Sequence, residues 1–168
     1  MSRTARDELL TPSLQESANV HALPPGERPW HLSSLFYPAF FGGALAVAVL
    51  AWMNSVRLDA PDMTRRWIVV IGTAGVVTSA VVPYLINGGH LDSTTQLGYR
   101  IVGALTFAAV YRVLRSANRL YTFRSPAAHE EMYDSLWAPG LTATLVLGAL
   151  QLGIVFAGVA IIRGVAGS

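Results

Sequence analysis

Apolar positions run almost unbroken through four stretches of this chain, residues 35–53, 67–86, 97–114 and 141–162, and polar positions gather between them. Of all the charged side chains, only Arg100 and Arg112 fall inside these stretches, each near one end. A helix rises 1.5 Å per residue, so about 20 residues cross roughly 30 Å of hydrocarbon. Soluble core helices seldom need that much unbroken apolar sequence. The pattern predicts an all-α integral membrane bundle of four transmembrane helices over residues 34–168. Residues 1–33 form a polar leader with no apolar core of the kind a secretory signal carries, and they read as a mobile tail.

Aromatic placement supports the same elements, because Trp and Tyr favour the level where hydrocarbon meets headgroups. Trp30 precedes the first stretch, Trp52 closes it, Trp67 opens the second and Trp137 precedes the fourth; Tyr84, Tyr99 and Tyr111 also sit near ends. Arginine placement then predicts sidedness. Arg57, Arg65, Arg66, Arg112, Arg115, Arg119 and Arg124 lie on one side of a four-crossing chain, against Arg28, Arg100 and Arg163 near the spans on the other. The richer side should face the cytoplasm, which puts both termini outside a bacterial inner membrane.

Composition narrows the chemistry. With 52% hydrophobic and 13% charged residues, the 168-residue chain is too apolar to be disordered. It has no cysteine, which excludes disulfides, thiolate metal sites and cysteine nucleophiles. All 12 basic residues are arginine, yet the net charge of +2 is too small and scattered to predict a nucleic-acid partner. No G-x-S-x-G, Walker A or G-x-G-x-x-G pattern occurs, so neither an enzyme nor a cofactor is expected.

Candidate sites therefore concern packing, polarity and lipid. Helices in a bilayer associate where small residues allow close approach and where a few polar groups bond across helices. Ala149, Gly153 and Ala157 are spaced by four on the fourth stretch, Gly75, Ser79 and Pro83 on the second, and Ala39 and Gly43 on the first, beside Gly42. These ladders are expected to pack mainly within the chain, with self-association or another membrane protein as the further use. Gln151 lies mid-stretch and needs a partner, for which Thr73, Thr78 and Thr106 are candidates; a polar pathway is its functional alternative. Arg100 reads as a snorkelled anchor or as a cation facing a cavity. Arg112, Arg115 and Arg119 share a helical face suited to anionic lipid headgroups. No Asp or Glu lies within a stretch, which argues against proton- or sodium-coupled transport, and Pro83 is the sole hint of a broken helix. The 129–134 segment, His-Glu-Glu-Met-Tyr-Asp, reads as a solvated loop, as does the turn holding His90 and Asp92; neither has metal-ligand spacing.

Phe41-Gly42-Gly43-Ala44-Leu45-Ala46, followed by Asn54 and Arg57-Leu58, resembles the F-G-G-P-L-A…N-x-x-R-x-L first-helix pattern of small uncharacterised four-span bacterial membrane proteins. Ala44 stands where that pattern has Pro, and Leu58 follows Arg57 directly. The resemblance implies a bacterial multi-pass architecture and no activity. The chain is thus expected to be a non-catalytic assembly or accessory subunit. A small passive channel or transporter component, and an enzyme using the 129–134 loop, are the rival expectations.

Overall fold

Four helices carry most of residues 26–87, 93–124 and 133–166, which are those the computed structural model describes. A 3-10 turn, Leu32–Leu35, leads into α1 (Phe36–Arg57), followed by α2 (Asp62–Asn87), α3 (Ser93–Arg124) and α4 (Trp137–Ala166). The protein is an all-α four-helix bundle, and every helix holds an apolar window long enough to cross a membrane. Local chemistry marks the starts. Asp62 places an acid in the first turn of α2, at the positive end of its dipole. The Ser135 hydroxyl oxygen accepts the Trp137 N–H at 3.3 Å where α4 begins.

Helix α1 spends its length in an unexpected way. Gly43 has φ 81° and ψ −167°, a backbone conformation open essentially to glycine alone, and it divides the helix into arms 36–42 and 44–57. The two arms fold back on each other. The Trp30 N–H donates to Asn54 Oδ1 at 2.7 Å, and Asn54 Nδ2 donates to the Trp30 carbonyl at 3.2 Å. These residues are 24 apart in sequence, and a straight helix between them would hold them roughly 36 Å apart. Gly43 lies close to their midpoint. The chain therefore enters the bundle along 32–42, turns at Gly43 and leaves along 44–57 by the end at which it entered.

The four-helix bundle stands as expected, and the reversal changes only how its first stretch is laid out. The stretch 35–53 has the length of one crossing but is built as two half-depth arms of a re-entrant hairpin. Helices α2, α3 and α4, of 26, 32 and 30 residues, run the full depth around it. Residues 26–31 then lie at the end where α1 finishes and α2 and α4 start, not beside the far end of α4 as four crossings would require. The leader 1–25 is outside the described residues.

Packing follows from the hairpin's central position. In the apolar window of α1, 56% of the residues are buried inside the fold, against 22–28% for the other three helices, so α1 is the core. Leu35 and Ala39 of the entering arm, together with Val47, Leu50 and Ala51 of the leaving arm, belong to one buried cluster with Ile68, Val110, Leu114 and Ala143. Helices α1 and α2 each pack on every other helix, whereas α3 and α4 hardly touch and flank the pair.

The base of the hairpin is tied by polar groups. Arg57 Nη1 donates to the Arg28 carbonyl at 2.9 Å and lies 3.7 Å from Asp134 Oδ2, while its guanidinium sits 4.0 Å over the Trp30 ring. Asp134 Oδ2 also accepts the Gly26 N–H at 2.8 Å, and the Asp134 N–H donates to the Pro29 carbonyl at 3.0 Å. Charge-assisted bonds and a partly desolvated cation–π contact together fasten residues 26–30, the end of α1 and the start of α4.

Candidate functional site

A backbone break at membrane depth leaves N–H and C=O groups that hydrocarbon cannot satisfy, so it persists only where protein or water answers them. The tip at Gly43 is answered by two side chains. Gln151 of α4, fully enclosed, accepts the Leu45 N–H on Oε1 at 2.7 Å. Tyr99 of α3 donates its hydroxyl to the Gly42 carbonyl at 3.1 Å. Leu45 would bond to Phe41 in an unbroken helix; here Gln151 caps the start of arm 44–57 as an N-cap side chain does at a protein surface. Gln151 Nε2 is buried and has no hydrogen-bond acceptor among the described residues.

Close contacts hold the glycine faces of this tip. A Cβ on Gly43 would collide with the Tyr99 hydroxyl and lie 2.8 Å from Gln151 Oε1, so both polar groups face the same side of the glycine. Gly103 lies against the Ala39 carbonyl, and Gly148 approaches Gly42, with Thr144 beside it. Gly75 and Ser79 line the inner face of α2; Gly75 meets Ala44 and the Thr106 side chain. The Ser79 and Thr106 hydroxyls donate within their own helices, to the Gly75 and Val102 carbonyls, each at 2.8 Å.

Several expected placements change. Gln151 does not bond to Thr73, Thr78 or Thr106, because the freed N–H of Leu45 claims its oxygen; Thr73 and Thr78 lie on the exposed side of α2. The ladder Ala149, Gly153 and Ala157 is exposed, and a Cβ on Gly153 would meet nothing within 4 Å. Its expected intramolecular role is thus taken over by Gly140, Thr144, Gly148, Gln151 and Val155, which occupy the opposite face of α4. Pro83, the sole hint of a broken helix in the sequence, falls within helix α2, and the break in this fold lies at Gly43, a close-packing position in the sequence.

Arg100 neighbours Tyr99 and is half-buried, with its guanidinium carbon 5.3 Å from the Phe40 ring centre. Phe40 stacks on Phe36 at 5.8 Å, and Phe36 meets Phe107 edge-on at 5.6 Å. These rings line the entering arm between its base and its tip. On the other side of that arm, a lateral groove of about 790 Å³ runs from Asp134 and Trp137 to Phe41 and Thr144. Arg112, Arg115 and Arg119 are exposed on the part of α3 nearest the base. Residues 129–132 and the turn with His90 and Asp92 lie outside the described residues. Among the described residues, no three His, Cys, Asp or Glu side chains group as a metal site would require. No known family, curated protein or solved structure matches this chain.

Proposed function

We propose that the protein is a non-catalytic multi-pass subunit of a bacterial inner membrane that assembles, with its own copies or with another membrane protein, through the outer face of α4. The observation that carries this reading is the open space over Gly153, flanked at four-residue intervals by exposed Ala149 and Ala157. The fold leaves this ladder unused, and small residues are what allow close helix approach in lipid. The chain has no cysteine, so a single Ala149→Cys variant gives an unambiguous cross-linking probe. Oxidation in membranes is expected to yield a covalent dimer or a bonded partner, and Gly153→Leu is expected to abolish it. A purely monomeric product in native membranes removes this reading.

The base of the hairpin is assigned to the cytoplasm. With the hairpin counted as re-entrant, Arg28, Arg57, Arg65, Arg66, Arg112, Arg115, Arg119 and Arg124 belong to the base side, and only Arg100 and Arg163 to the other. This eight-to-two bias satisfies the positive-inside rule better than four crossings do. Arg112, Arg115 and Arg119 then face anionic headgroups, at about 1 kcal/mol each.

A passive conduit for a small solute is the second reading, favoured by the half-helix that ends at mid-depth beside Gln151. Proteoliposomes distinguish it: flux that falls in Gln151→Leu supports it, and tight vesicles remove it.

A further inference from the structure

The tip combines features that point to a ligand of one sign. Arm 44–57 is a helix of fourteen residues, and its N-terminus, the positive end of the peptide dipoles, faces the tip at mid-depth. Half-helix N-termini placed in this way inside membrane proteins meet anionic groups. The second feature is independent of the first. Gln151 is fully enclosed, its oxygen is committed to Leu45, and its Nε2 group is a donor with no acceptor among the described residues.

The surroundings add positive character and no negative charge. Arg100, next to Tyr99, brings a guanidinium to the face of Phe40 on the entering arm. No Asp or Glu occurs between Trp67 and Ile86, Leu97 and Leu114, or Leu141 and Ile162, nor on α1. The Tyr99 hydroxyl lies on the same side of Gly43 as the Gln151 carboxamide and could turn from the Gly42 carbonyl towards a stronger acceptor. A buried donor without an acceptor, a positive dipole end and a nearby cation would repel a metal ion and favour a small acceptor carrying negative charge.

We propose that the hairpin tip binds a small monovalent inorganic anion of halide size, held by Gln151 Nε2 and the first turn of arm 44–57, with Arg100 and the Tyr99 hydroxyl contributing. The site requires neither self-association nor flux, so it stands apart from both functional readings above.

The test is melting of the purified, detergent-solubilised protein in sodium chloride, sodium bromide and sodium gluconate at matched ionic strength. A ligand that binds only the folded state raises the midpoint as its concentration rises. The midpoint is expected to climb with chloride and bromide and to stay level in gluconate. In Gln151→Leu the apparent affinity is expected to fall about tenfold or more, the usual consequence of losing one bond to a charged group. Leu105→Ala, on the exposed outer face of α3, is expected to keep the full response. Equal shifts in gluconate, or an equal halide response in wild type and Gln151→Leu, would overturn the proposal. If Gln151→Leu does not fold, bromide-soaked crystals of the wild-type protein decide instead. An anomalous peak within hydrogen-bond reach of Gln151 Nε2 supports the site, and bromide confined to surface arginines overturns it.

Discussion

Leu45 and Gln151, 106 residues apart in the chain, meet through a single 2.7 Å bond from backbone N–H to side-chain oxygen, so the last helix completes the first. The break at Gly43 is thereby a tertiary feature. Arm 44–57 begins where α4 supplies its cap, and arm 36–42 ends where the Tyr99 hydroxyl of α3 donates to the Gly42 carbonyl.

Gly43→Ala is expected to destabilise the fold by at least about 3 kcal/mol, since it adds both a disfavoured backbone conformation and a collision with Tyr99. Gly153→Ala, with open space around it, should change stability by less than about 0.5 kcal/mol. Thermal or denaturant unfolding in one detergent compares the two, and equal losses would contradict the tip geometry.

Sidedness offers a direct check of the hairpin. Single cysteines at Glu27, Asp59 and Gly164, all exposed, can be labelled with an impermeant reagent in intact cells and in inverted vesicles. Glu27 and Asp59 should react together from one side, and Gly164 from the other. Glu27 reacting with Gly164 instead would restore four full crossings.

Much of this molecule is legible in its residues, and the hairpin marks where legibility stops. Length and hydropathy locate all four helices because the solvent imposes them: each stretch must offer lipid a continuous apolar surface. Those same quantities carry no direction. A stretch that goes in and comes back is as apolar as one that goes through, and 35–53 contains no polar residue to mark its turn. The available signals were Gly42-Gly43 at mid-stretch, where a reversal needs a positive φ, and an asparagine at 54 able to bond back to the chain before the helix. Gln151 was legible as a group needing a partner. Its partner was not, because a backbone N–H becomes free only once the break is known. The ladder on α4 likewise showed its spacing but not its facing, since α4 has small residues on both sides.

Arg57→Ala should cost about 2 kcal/mol, because it removes the guanidinium from Trp30, from the Arg28 carbonyl and from Asp134 at once. Arg66→Ala, an exposed arginine of the same layer, is expected to stay within about 0.5 kcal/mol of wild type. Arg57→Lys should recover only part of the loss, because an ammonium lacks the planar face that stacks on the indole. Chemical denaturation of the four proteins ranks them, and a harmless Arg57→Ala would remove the base from the account of hairpin stability.

Tyr99→Phe leaves the Gly42 carbonyl without its donor while keeping the ring, and it should cost about 1–3 kcal/mol. Combined with Gln151→Leu, the loss should differ from the sum of the single losses, since both residues hold one break. A double-mutant cycle reads that coupling; strict additivity would mean that the two groups act independently.

Synthesis proceeds from the N-terminus, so the ribosome delivers the hairpin long before Tyr99 and Gln151 exist to complete it. Until then the groups around Gly43 must remain hydrated or be sealed by an ordinary straight helix. The hairpin, which emerges before the three helices that surround it, is therefore among the last elements to reach its final shape, and membrane insertion of this chain cannot be a simple sequence of independent threading events.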